Sequence, residues 1–165
     1  MLTQERLKEC LSYDPDSGDF VALVDRRLYK AGDVFRTVNS SGYIRIRIDG
    51  VYYYAHRLAW MYVHGEWPPA DLDHINRNRV DNRLSNLRLA TRRENLRNRS
   101  VSRTSATGVK GVDYHEGMKK YRVRIRSEGR RITIGYFSSV EEAAFAYEKA
   151  AAELHGTFAA HNSGE

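Results

Sequence analysis

A chain of 165 residues, 41% hydrophobic and 29% charged, makes one ordinary domain or two very small ones and excludes wholesale disorder. No apolar run nears the ~18–20 residues that span a bilayer, Met1 opens into a polar segment without a secretory core, and the single cysteine, Cys10, excludes a disulfide framework or CxxC zinc site. These features suit an intracellular setting, and a net charge of +6 asks for an acidic partner.

In chain order, a short amphipathic helix is expected around Leu2–Leu11, followed by the turn-rich stretch Asp14–Gly18 and a strand at Phe20–Val24. From Gly42 to Tyr54 apolar and polar residues alternate on both sides of Asp49–Gly50, a dipeptide suited to a type I′ hairpin turn. A helix over Ala55–His64 carries Leu58, Ala59, Tyr62 and Val63 on one face and is closed by Gly65. His56 opens that helix, either as a hydrogen-bonding histidine at a helix start or in support of an active site.

Residues 71–100 are crowded with Asp, Asn and Arg. A strand at Asp71–Ile75 runs into an Asn/Arg loop, a second short strand lies at Leu87–Ala90, and the capping pair Thr91/Glu94 starts a helix at Arg92. Charge is concentrated here and just beyond. Residues 71–106 hold nine Lys/Arg against four Asp/Glu and residues 107–134 eight against three, whereas residues 1–70 are neutral and residues 135–165 are acidic. Such a basic centre has the form of a phosphate-backbone footprint. Beyond a polar linker at 101–107, strands are expected at Val109–Asp113, Tyr121–Ser127 and Arg131–Phe137. A helix from Val140, capped by Ser138 and Ser139, then places Val140, Ala143, Ala144, Tyr147, Ala151 and Leu154 on one face.

Asp73 and His74 carry the chemistry. A carboxylate offers a hard oxygen to Mg²⁺, and an imidazole near neutral pKa suits a general base that activates water. Asn95, in the first turn of the helix from Arg92, adds a second oxygen ligand if that helix packs on the strand. The arginines at 77, 79, 83, 88, 92, 93, 97 and 99 are placed to hold a phosphate backbone. In the C-terminal part, Lys120, Arg122, Arg124 and Arg126 share one strand face, opposite Tyr121, Val123 and Ile125. Arg131 and Thr133 continue the outward face on the next strand, which makes this sheet a candidate reader of the DNA major groove.

Tyr54-Ala-His-Arg-Leu-Ala-Trp60, Gly65–Pro68, Asp73-His-Ile-Asn76, Asp81–Arg88 and Thr91–Asn95, in this order, resemble the HNH endonuclease family, in particular its phage and intron-encoded homing branch. The resemblance covers about residues 43–99. It implies an α+β chain with a ββα-metal core near 70–99, His74 as general base, Asp73 and Asn95 as ligands of one Mg²⁺ or Mn²⁺ ion, and Asn86 as the asparagine that ties the loop together. Arg88, Arg92 and Arg93 fall on the DNA side.

Gly108–Val112, Tyr121–Arg126, Ile134–Phe137 and Val140–Tyr147 resemble the AP-two/ethylene-response-factor DNA-binding domain, a small three-stranded antiparallel sheet packed on one helix. Carried over by position, Lys120, Arg124, Arg126, Arg131 and Thr133 fall where the family faces DNA, and Lys110 and Arg122 are expected to bind DNA with them. Tyr121 stands where tryptophan is usual and Thr133 replaces a large aromatic reader, so the plant domain's target sequence does not transfer. Phe145 has no role in this reading. The expected organisation is therefore a nuclease part over residues 1–100, a linker at 101–107 and a DNA-binding domain over 108–163. It acts as a monomer on double-stranded DNA. A DNA-binding regulator with an inactive nuclease, and a phage packaging or defence nuclease without a homing role, are the competing readings.

Overall fold

The computed structural model describes residues 1–98, 101 and 105–159. Arg99, Ser100, linker residues 102–104 and the last expected domain residues 160–163 lie outside the described residues. The chain divides into two compact units, Met1–Arg92 and Arg93–Glu165, and each has its own hydrophobic core.

In the first unit, Thr3 caps α1 (Gln4–Cys10), its side-chain oxygen accepting from the Arg6 amide. The helix ends earlier than its periodicity suggests, because Leu11 already belongs to β1 (Leu11–Tyr13), which pairs antiparallel with β2 (Phe20–Ala22) across the Asp14–Gly18 turn. This strand was not expected from the sequence. β3 (Arg45–Ile48) and β4 (Val51–Tyr54) form the second hairpin, and both turn residues take positive φ, 47° at Asp49 and 86° at Gly50, as a type I′ turn requires. β4 passes directly into α2 (Ala55–His64), the helix expected over those residues.

Leu7, Leu11, Phe20, Ile46, Ile48 and Leu58 are essentially excluded from solvent, and the Cys10 thiol is buried among them. Full burial of each large aliphatic side chain is worth about 1.5–3 kcal/mol as an upper bound. β5 (Asp71–His74) and β6 (Leu87–Ala90) pair antiparallel, with Asp73 opposite Arg88 and His74 opposite Leu87.

The second unit contains most of α3 (Arg92–Arg97) and the sheet β7 (Val112–His115), β8 (Lys120–Ser127), β9 (Arg130–Phe137), all antiparallel and in that order. The first strand was expected three residues earlier. Gly111 has φ +73° and sits so close to the Tyr147 ring and the Arg124 carbonyl that no Cβ fits, so extended backbone begins only beyond it. α4 (Val140–His155) is capped by Ser139, whose Oγ accepts from the Glu142 amide. Its buried residues are Ala143, Tyr147, Ala150 and Ala151; Ala143, Tyr147 and Ala151 share a core with Val112, Val123 and Ile125 of the sheet, while Leu154, expected on that face, is 40% exposed. No helix among the described residues is long and apolar enough to cross a membrane.

Candidate active site

Asp73 and His74 are the last two residues of β5, and both are buried. Strand alternation sends them to opposite sides. Asp73 meets the residue opposite it in register: Arg88 donates from Nε at 2.9 Å and from Nη2 at 2.7 Å, both to Oδ2. The sequence reading placed Arg88 on DNA. The structure directs its guanidinium to Asp73 instead, because cross-strand pairing brings the two side chains together inside the unit, leaving the Arg88 side chain only 16% exposed.

His74 enters an aromatic pocket. Its ring lies 5.1 Å from that of His56, edge to face, and 6.0 Å from that of Tyr43. Its Nε2 is 3.4 Å from Asn82 Oδ1. The Asn82 amide is oriented by its own Nδ2, which donates to the Val80 carbonyl, so it is the oxygen that faces His74 and Nε2 that donates. The accepting nitrogen of the neutral ring is then Nδ1. Desolvation lowers the His74 pKa below the ordinary histidine value, opposed by the Asn82 hydrogen bond and by Asp73. The neutral form of the His74 ring is thereby favoured. His56, at the start of α2, is pushed down to about 3, chiefly by burial and then by its neighbours His74 and Arg57.

The loop between β5 and β6 is tied by amides. Asn86 Oδ1 accepts from the Asn76 backbone N–H, and Asn86 Nδ2 donates to Asn76 Oδ1 and to the Asp81 carbonyl. Asp81 receives the fork of Arg83, at 2.8 and 2.6 Å, and these hydrogen bonds hold its carboxyl down to about 2. The β1–β2 hairpin backs the same loop. Tyr13 Oη donates to the Asn82 carbonyl at 2.7 Å and the Leu84 amide donates to the Pro15 carbonyl. Asn82 and Tyr13 were not singled out from the sequence. Asn82 sits inside the quoted Asp81–Arg88 motif and was open to notice, but Tyr13 reaches it across 69 residues with no local signal.

Asp73, His74, Asn86, Arg88 and His56 thus all belong to the first unit. Asn95, half-buried in α3, and the exposed Arg93 belong to the second, and Arg92 is the last residue of the first. Among the described residues no group of three or more His, Cys, Asp or Glu side chains converges as a metal cage.

On the sheet of the second unit, Arg124 pairs with Thr133 in register and Arg126 with Arg131, as the shared outward face requires. Lys120, Arg126, Arg131 and Thr133 are exposed. Arg122 and Arg124 are not part of an all-basic surface. Arg122 Nη2 donates to Asp113 Oδ2 at 2.6 Å, and Arg124 donates from Nε and Nη2 to Asp113 Oδ1. Burial pushes the Asp113 carboxyl up, and the two arginines more than offset it, leaving it below its usual range. Lys110 is half-buried and donates to the Arg97 carbonyl.

Residues 53–97 match the HNH endonuclease family. The chain is 30% identical over 105 residues to Protein 3.8 of Escherichia phage T7, covering 63% of this chain and 86% of that protein. It is 36% identical over 96 residues to the uncharacterized HNH endonuclease L560 of Acanthamoeba polyphaga mimivirus, covering 57% of this chain and 49%, about half, of that protein. No solved structure matches.

Proposed function

We propose that the chain, a nuclease with an HNH endonuclease domain at residues 53–97, is a metal-dependent, site-preferring DNA endonuclease of the homing type. The observation that carries this reading is the buried Asp73–His74 pair at the end of β5, inside the matched segment, with the His74 ring turned by Asn82. In this reading β5 and β6 belong to the ββα-metal core, Asp73 is the ion's ligand from the first unit, and Asn86 keeps the loop closed.

The donor chemistry fits a hard cation. Asp73 offers oxygen, and the single cysteine is buried in the core away from solvent. A cation with so few protein ligands keeps most of its water and takes the rest of its shell from substrate phosphate, which suits Mg²⁺ or Mn²⁺. Bound there, the ion would supply positive charge to the scissile phosphate and the leaving oxygen. His74 takes the proton of the attacking water at Nδ1, Nε2 remaining on Asn82. Arg88 holds the Asp73 carboxylate in one rotamer rather than touching DNA.

We also propose that residues 108–163 form an AP-two/ethylene-response-factor-like DNA-binding domain, joined through the linker at 101–107. It positions the nuclease on its site through Lys120, Arg126, Arg131 and Thr133, with Lys110, Arg122 and Arg124 in support and Arg92 and Arg93 on the backbone. The protein acts as a monomer inside the host cell of a phage or mobile element.

The test is cleavage of an end-labelled fragment carrying the gene's own flanking locus. Wild type cuts with Mg²⁺ or Mn²⁺ and stops reversibly on chelation, and Asp73→Ala is inactive. His74→Ala loses about 10²-fold or more in turnover while DNA affinity stays nearly unchanged. Cutting that persists in excess chelator, or near-normal turnover by His74→Ala, overturns the mechanism. Equal cutting of unrelated DNA overturns the homing assignment.

A further inference from the structure

Resting on the endonuclease reading, we propose that the outward face of the β3–β4 hairpin in the first unit is a second DNA-binding surface. It carries the substrate strand toward His74 independently of the C-terminal sheet.

Register fixes the composition of this face. Arg45 lies opposite Tyr54 and Arg47 opposite Tyr52, so the four side chains stand on one side of the ribbon while Ile46 and Ile48 fill the core on the other. All four are exposed, Tyr52 at 54% and Tyr54 at 39%. The Arg45 guanidinium lies 4.9 Å from the Tyr52 ring centroid and that of Arg47 5.6 Å. Two large aromatics and two cations held at the surface are expensive for a strand that only needs to be soluble.

The state of the charges distinguishes these two arginines from several others. Arg88 is committed to Asp73, Arg83 to Asp81, and Arg122 and Arg124 to Asp113. Among the described residues Arg45 and Arg47 are ion-paired with no carboxylate. The acid closest in sequence, Asp49 of the hairpin turn, is taken up by Arg6, which donates from Nε and Nη2 to its two oxygens at 2.8 Å each. The hairpin therefore keeps its two positive charges for an outside anion. Sequence counting gives the first 70 residues a net charge of zero and hides this, whereas Glu9 and Asp49 pair with Arg6, Asp19 with Arg36 and Asp25 with Lys30.

Position supplies the third argument. The Tyr54 ring stacks on His56 at 5.5 Å and meets Tyr43 edge-on at 5.4 Å, and Tyr43 in turn borders His74. The Arg79 guanidinium lies 4.9 Å over Tyr43, its Nη1 donating to the Ser41 carbonyl. A continuous series of rings and guanidinium groups thus runs from the hairpin to the base. Arg45 and Arg47 are about 7 Å apart along the strand, a reach that serves successive phosphates, and a two-stranded ribbon has the width the major groove admits. Tyr52 and Tyr54 then lie against sugars or base edges of the bound DNA.

The experiment measures DNA binding by the full-length His74→Ala protein, held in chelator to stop residual cutting, across a salt series. R45A/R47A in that background should lower the slope of log affinity against log salt by about 2, close to 0.9 for each phosphate no longer neutralised. Affinity near 0.1 M salt should fall about tenfold or more. R45Q/R47Q, which keeps the apolar stems and the cover over Tyr52, should show the same slope change if the cause is charge, and its melting temperature reports that the fold is intact. Y52A should weaken binding while Y52F retains it. An unchanged slope and affinity in both arginine variants overturns the proposal, as does a slope carried wholly by Arg126 and Arg131. Cleavage by the wild type is scored in parallel. If it fails, the nuclease reading fails, while the binding slope still decides the role of the hairpin.

Discussion

Arg88 and Asp73 form a pair in which a buried carboxylate oxygen accepts two hydrogen bonds from one guanidinium, with the two side chains 16% and 7% exposed. Breaking a pair of this kind by deleting one partner typically costs about 3–5 kcal/mol, because a charge is left in low dielectric. Arg88→Ala is therefore expected to lose about that much stability in urea denaturation. Arg88→Lys should recover only part, since an ammonium cannot fork onto one oxygen in the same way. His56 gives a pH-dependent counterpart. Its folded pKa is pushed down to about 3 against an ordinary 6.5, so above pH 6.5 both states are neutral and the fold is undisturbed. As pH falls from 6.5 toward 3 the unfolded chain takes up the proton and the folded one does not, and stability drops by about 1.4 kcal/mol per pH unit. His74 shifts in the same direction and adds to the loss. His56→Gln should flatten the dependence measured between pH 7 and 4.5; an unchanged slope would show that His56 is protonated in the fold. That Asp73 and His74 end one short strand was legible in the sequence. What Arg88 does was not, since the sequence lists the cation without saying that register turns it onto Asp73.

The elements show the same division. α2 was legible to the residue, from the Gly65 stop and its apolar face, and the β3–β4 turn from a dipeptide that takes positive φ at both positions. β1 escaped notice because its three residues continue the apolar pattern of α1, and only pairing with β2 makes them extended. The β1–β2 hairpin matters beyond its size because its turn presses on the loop that holds His74. A Cβ built on Gly18, which has φ +77°, would run into the Arg83 backbone nitrogen and lie 2.6 Å from the Asn82 carbonyl carbon. Backbone cannot move aside as a side chain can. Gly18→Ala is expected to cost about 2 kcal/mol or more and, on the proposed mechanism, to reduce cleavage along with it, because Asn82 faces the His74 ring. Thermal melts and turnover on one DNA fragment check both effects; a variant with the wild-type melting temperature and full turnover would show that the hairpin does not brace the loop.

At the scale of the molecule, the two cores share no residue: one is built on Leu7, Phe20, Ile46 and Leu58, the other on Val112, Val123, Ile125 and Tyr147. Calorimetry should resolve two transitions. Leu58→Ala is expected to lower one and Val123→Ala the other, each by a Leu- or Val-sized core loss of about 2–5 kcal/mol or somewhat less. A single transition displaced equally by both substitutions would mean that the units unfold as one. The burial of Cys10 has a practical corollary. With the one native thiol at 0% exposure inside the first core, the surface carries no reactive sulfur. A cysteine introduced at Thr133 on the C-terminal sheet, or at Val51 beside the hairpin face, becomes the only site that an alkylating photocrosslinker can reach. The two surfaces can then be asked separately, on the unaltered remainder of the protein, which nucleotides each one lies against.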